Sequence, residues 1–97
     1  MSKPRKYSDS SLMVMERFFQ AFEICRKMKL IGSVTDFCKD HGIDKAHFYT
    51  QRKEPSSGFF QVGWIVPIIE DCKISAHWLM TGRGEIFQSE KKEMESA

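Results

Sequence analysis

The chain has 97 residues, 41% of them apolar and 12% aromatic, and a formal net charge of +2. That suits one small domain with one core and argues against a globally disordered chain. No apolar run approaches the ~20 residues a bilayer-spanning helix needs, and the basic start MSKPRKYSDSS leads into no apolar signal segment, so a cytoplasmic, nucleoid-associated protein with no membrane partner is expected.

Cys25, Cys38 and Cys72 are odd in number and widely spaced. Such a set reads as reduced thiols buried in a core, not as a disulfide framework. A small net charge neither demands nor excludes a polyanionic partner. Its distribution is more informative: Lys3, Arg5 and Lys6 lie close together near the start.

Residues 1–10 read as a flexible basic arm, 11–87 as the domain, and 88–97 as a tail. Within the domain no stretch alternates with period two, so an all-α fold of five helices with an extended first helix is predicted. The first helix covers about 11–29, with a stripe of Phe18, Phe22, Cys25 and Met28, and Gly32 is expected to break it. Ser33 and Asp36 have capping-box spacing ahead of a short second helix over 34–41. Gly42 ends it, with Ile43 placed for the apolar contact that accompanies such a stop. Asp44 can then cap a third helix, 45 to about 53, before Pro55, Ser56, Ser57 and Gly58.

A fourth helix is predicted over about 60–72. Pro67 is awkward inside it, because proline lacks a donor and clashes with the carbonyl four residues back. A kink is expected there, or a helix that starts near Pro67. The fifth helix runs from Ser75 to about Met80 and stops at Gly82. Trp78 is expected in the core, against helices four and one. Phe59, Phe60, Ile86 and Phe87, at segment ends, are expected to be exposed and sticky.

The sharpest feature is SVTDFCKDHGIDKAHFYTQRK, residues 33–53. Two short helices share a tight Gly-Ile-Asp turn, with Phe37, Cys38 and Phe48 facing inward. This is the grammar of a helix-turn-helix, whose second helix can enter a major groove.

The segments DFCKDHGI, HFYTQRK and ISAHWLMTGRGEIF resemble the lambda-repressor-like (XRE, Cro/CI-type) helix-turn-helix family, in particular small phage-type regulators of Bacteroides-like bacteria. Trp78, Leu79, Thr81, Gly82, Gly84 and Phe87 match the family's closing pattern, and the resemblance covers roughly residues 13–87. It implies a compact five-helix lambda-repressor-like domain that binds double-stranded DNA as a small transcriptional regulator. A repressor that occludes a promoter, working as a homodimer on an inverted-repeat operator, is the expected form. The sequence departs from the family at Cys38, where Ala is usual, at His41, and at Gln51, where Ile or Leu is usual. Gln51 is expected to seat the recognition helix less firmly. Lys53-Glu54-Pro55 replaces the usual Asn-Gly.

By this resemblance Lys45, Ala46, Tyr49 and Thr50 lie on the base-reading part of helix three. Lys can donate to guanine, and Thr or Ala can touch a thymine methyl. His47 is a phosphate or groove-edge contact or a plain surface residue. Ser33 and Thr35, at the start of helix two, are placed to hold a phosphate, although capping alone explains Ser33. Lys53 and Ser56 are further phosphate candidates. Arg52 points toward the scaffold, with Glu23 as the expected ion-pair partner.

An interaction module that keeps the fold without reading DNA is the alternative. Residues 33–58 hold four basic residues (Lys39, Lys45, Arg52, Lys53) and four acidic ones (Asp36, Asp40, Asp44, Glu54), so that face has no net charge. Enzymatic readings fare worse. Cys38, His41, Cys72 and His77 have zinc-compatible side chains, but the last two are split by a predicted helix break. No third group orients a Cys-His pair. Gly82-x-Gly84 is too short for a nucleotide loop. No cofactor, metal or small-molecule ligand is expected.

Overall fold

The computed structural model describes residues 7–88. Lys3, Arg5 and Lys6, and positions 89–97 of the expected tail, lie outside the described residues. Five α-helices follow one another: α1 (Asp9–Lys27), α2 (Val34–Asp40), α3 (Lys45–Lys53), α4 (Ile65–Glu70) and α5 (Ala76–Thr81).

α1 starts earlier than the sequence suggested, because Ser8, not a later serine, accepts from the Ser11 amide at 3.2 Å. Its buried face is Met15, Phe18, Ala21, Phe22 and Cys25, spaced by threes and fours. It also ends before Gly32. Lys29 takes the left-handed conformation at φ 64°, and the Leu30 amide donates back to the Cys25 carbonyl at 2.9 Å. This is a glycine-type stop made by a lysine, and it carries the steric cost of a Cβ in that region.

The α2–α3 junction follows its local signals. Ser33 accepts from the Asp36 amide and Asp44 from the His47 amide, each at 3.0 Å. Gly42 adopts φ 65°, and the Ile43 amide reaches the Cys38 carbonyl at 2.8 Å. Phe37 and Cys38 of α2 and Phe48 of α3 are buried. Phe37 and Phe48 join Phe18, Phe22 and Trp64 in one aromatic cluster. The ring centroids of Phe22 and Phe48 are 5.0 Å apart, and those of Phe48 and Trp64 are 5.5 Å apart.

Pro67 decides how α4 begins. A 3-10 turn, Val62–Trp64, precedes the helix, which makes Pro67 the third helical residue. There its missing N–H is one that the first turn leaves unpaired in any case, so no kink is needed.

α5 places Leu79, not Trp78, in the core: Leu79 is fully buried and Trp78 half-buried. Adjacent helical residues point about 100° apart, so one of them must leave the core face. After Gly82 the chain returns along α4. Ile74 and Phe87 form an antiparallel bridge, flanked by Ser75 N–H to Ile86 O at 2.6 Å and Gln88 N–H to Lys73 O at 2.8 Å. Gln88 also donates its side-chain amide to the Ile69 and Ile74 carbonyls. Position 88 is therefore tied to the domain and does not begin a free tail. Phe59, Phe60, Ile86 and Phe87 are half-buried against the core, contrary to the exposure expected of them. Among the described residues no helix is long and apolar enough to cross a membrane.

Candidate nucleic-acid interface

Burying Phe48 completely fixes how α3 is rotated. Lys45, Ala46, His47 and Tyr49 are left exposed, while Thr50 is half-buried at the helix flank. Lys45 and Tyr49 are one turn apart and share a side of the helix. The start of α2 meets this face, because Lys45 Nζ donates to Thr35 Oγ1 at 3.4 Å. Thr35, Lys45, Ala46 and Tyr49 thus form one surface drawn from two helices.

Other expected contacts are partly committed elsewhere. The Ser33 hydroxyl oxygen caps α2. The His47 ring lies flat on Phe59, 4.1 Å between centroids and 8° between planes. This stack fastens the loop after α3 to the helix's first turn. Lys53 and Ser56 are exposed at the opposite end of α3. Arg52 bonds Glu23 Oε2 at 3.0 Å, as expected, and its guanidinium lies 5.1 Å from the Tyr49 ring centroid. That cation is drawn to α1 and props Tyr49 from behind.

The expectation for Gln51 is overturned. Gln51 is 1% exposed, and it organises the whole loop from Pro55 to Phe60. Its amide donates to the Pro55 carbonyl at 2.6 Å. Its carbonyl oxygen accepts from Ser57 Oγ and the Phe59 amide, both at 2.8 Å, and from the Phe60 amide at 3.0 Å. A buried amide is costly unless paired, and this one is paired on both ends. An apolar residue at this position could not make those bonds to the loop. Tyr7 strengthens the same point: its hydroxyl accepts from Phe60 N–H at 3.1 Å and faces Phe60 O at 3.4 Å.

Asp44 is held below the ordinary carboxylate range, first by the His47 amide and further by the nearby His47 side chain and the Ala46 amide. The three thiols go the other way. Burial pushes Cys25 up to about 12, with Cys72 beside it adding to the effect, and burial raises Cys38 and Cys72 too. Protonated, buried thiols are poor ligands and poor nucleophiles. His41 is engaged as well, with Nε2 3.9 Å from an Asp71 carboxylate oxygen and its ring centroid 4.9 Å from that of Phe37. No group of three metal-binding side chains is assembled among the described residues.

Comparison with family models, curated proteins and solved structures returns no match.

The sequence reading misjudged Gln51 and missed Tyr7 and Arg17. Arg17 donates from Nε to the Leu79 carbonyl at 2.7 Å and from Nη2 to the Met80 carbonyl at 3.1 Å, closing the end of α5. Gly82 sits in the left-handed region at φ 77°, and a Cβ there would come within 3.1 Å of Arg17 Nη1, a tight approach that the guanidinium would have to relieve. Residues 62 or more positions apart carry no local pattern that links them.

Proposed function

We propose that the protein binds double-stranded DNA sequence-specifically, with α2 and α3 acting as a helix-turn-helix of the lambda-repressor-like type. The observation that carries this reading is the joint face of Thr35, Lys45, Ala46 and Tyr49, backed by fully buried Phe48. A rigid helix offering a lysine, a small residue and an aromatic one turn apart suits a major groove, where Lys donates to guanine O6 or N7. The start of α2, with Thr35, would meet phosphate and set the register. Lys53 and Ser56 would add phosphate contacts at the far end of α3. Lys3, Arg5 and Lys6 would contribute salt-dependent affinity without base preference. A cytoplasmic dimer occluding a promoter at an inverted repeat is the regulatory form proposed.

Selection of bound sequences from random duplex DNA tests this. A recovered inverted repeat is the expected result. On that site Lys45→Ala should cost about 1–3 kcal/mol and relax preference at one base position. An equal loss on every sequence would reduce Lys45 to a phosphate contact. Absence of any salt-steep duplex binding at low ionic strength would sink the reading. One observation favours the interaction-module alternative: residues 33–58 balance four cations against four anions, and Arg52 is turned away to Glu23. That same negative result would support it.

A further inference from the structure

Tyr49 is 43% exposed, yet its ring has two partners within the fold. The Phe48 ring meets it at 89°, with 6.4 Å between centroids. The Arg52 guanidinium lies over it, 5.1 Å from the ring centroid. Arg52 is in turn held at its head. Its Nη1 donates to Glu23 Oε2 of α1 at 3.0 Å, and Arg26 Nη1 lies 3.6 Å from the other carboxylate oxygen, Glu23 Oε1. A line of contacts therefore runs from α1, through Glu23 and Arg52, to a side chain on the outer face of α3.

Each link has a consequence. A guanidinium is drawn to the negative face of an aromatic ring, and its planar head can rest there while it donates to a carboxylate. Without Glu23 the long Arg52 side chain would be free to swing into water. A tyrosine that has to be ordered on binding costs affinity, and one already ordered does not. One face of the Tyr49 ring is taken by Arg52, which leaves the other face, the edge and the hydroxyl for a ligand. Ala46, exposed and one turn earlier, shares that side of the helix. A methyl beside an aromatic ring makes an apolar contact surface. The apolar group that a base pair offers in the major groove is the thymine C5 methyl.

We infer that Tyr49, with Ala46, reads a thymine methyl, and that Arg52, steadied by Glu23, is the positioning residue that holds the Tyr49 ring for it. The inference rests on the DNA-binding reading and adds to it a base and a residue that acts without touching DNA.

The probes are the duplex recovered by selection from random DNA and copies in which one thymine at a time is replaced by deoxyuridine. That exchange removes the C5 methyl and leaves the base pair as it was. Binding of the full chain is followed by fluorescence anisotropy. For wild type, uracil at the position read by Tyr49 should weaken binding about fourfold, the worth of one buried methyl. Tyr49→Ala should abolish this preference. Arg52→Met and Glu23→Ala should each bring it below about twofold, although Tyr49 is still present. A partly unfolded variant, or one that has only lost a phosphate contact, binds both probes more weakly by the same factor, so the thymine-to-uracil ratio isolates positioning. A ratio that stays near its wild-type value in Arg52→Met overturns the positioning role. A wild-type protein indifferent to every thymine methyl, or a ratio that survives Tyr49→Ala, overturns the methyl contact while duplex binding itself stands. Absence of salt-steep duplex binding by the wild type removes the DNA reading and this inference together.

Discussion

The inner side of α3 and the loop at its carboxyl end are held by different physics. On the inner side Phe48 packs among Phe18, Phe22, Phe37 and Trp64. Aromatic contact of this kind is strong in sum and tolerant in direction, so it sets how far α3 stands from the core and which face it turns out. At the other end Gln51 fixes the loop through four directed hydrogen bonds. Directed bonds specify a backbone path, which packing alone does not. The comparison teaches that one helix can be placed by apolar burial while its loop is placed by a single polar side chain.

The largest effect expected is on the apolar side. Phe48→Ala removes a fully buried ring from the centre of the cluster and should cost about 3–5 kcal/mol, read as a shift in the denaturant midpoint. A loss under about 1 kcal/mol would mean that the core closes around the gap and that Phe48 does not position α3.

The polar side should respond less, and in a way that separates the two mechanisms. Gln51→Leu keeps volume and adds apolar surface, so packing alone predicts a gain. The hydrogen-bond account predicts a loss of about 1–3 kcal/mol, because the Phe59 amide and the Pro55 carbonyl lose their bonds to Gln51 while the Phe60 amide keeps the Tyr7 hydroxyl. Hydrogen exchange at the Phe59 and Phe60 amides should speed up in this variant more than exchange within α1. A stabilised Gln51→Leu protein would break the comparison.

Arg17 extends it to a second loop. Like Gln51, it reaches across the fold to backbone groups, here the Leu79 and Met80 carbonyls. Gly82→Ala should cost about 1–2 kcal/mol, part from the left-handed backbone and part from crowding of the guanidinium. In an Arg17→Ala background the crowding vanishes, so the penalty of Gly82→Ala should fall toward the backbone share alone. An unchanged penalty would show that the close approach carries no energy.

These clamps also mark the limit of what the sequence made legible. Ser33, Gly42, Asp44, Ser75 and Gly82 act within three or four residues of themselves, and each was readable from spacing. The inward set of Phe18, Phe22, Phe37 and Phe48 was readable from periodicity. Gln51 was misread because a polar residue at an inward position looks like a defect until its loop partners are known. Lys29 and Lys73 take left-handed conformations at φ 64° and 62°, where glycine would have been the visible signal. For the candidate DNA surface, the sequence grouped Lys45, Ala46 and Tyr49 with Thr50 and set Thr35 apart with Ser33, whereas the structure joins Thr35 to Lys45. It could not foresee that Phe59 would cover the His47 ring.

The smallest effect expected tests the local end of α3 against its long-range end. Asp44 is exposed and caps the helix through the His47 amide at 3.0 Å. Its pKa lies below the ordinary value of 3.8 because that bond, then the His47 side chain and the Ala46 amide, favour the charged form. A carboxylate whose pKa is lower in the folded state adds stability that is fully present above the unfolded value. That stability is lost as the pH falls through the folded value. Asp44→Asn isolates the effect, since an asparagine oxygen can cap but does not titrate. The stability of wild type minus that of Asp44→Asn should not fall between neutral pH and about pH 5. It should then fall in favour of the variant as the pH drops below about 4. The other carboxylates titrate in both proteins and cancel in the difference. The Gln51 network contains no titrating group, so a Gln51→Leu difference should stay level over the same range. If the Asp44→Asn difference is also level down to the acid unfolding limit, the capping carboxylate owes nothing to its charge, and α3 is fixed at its start by hydrogen-bond geometry alone.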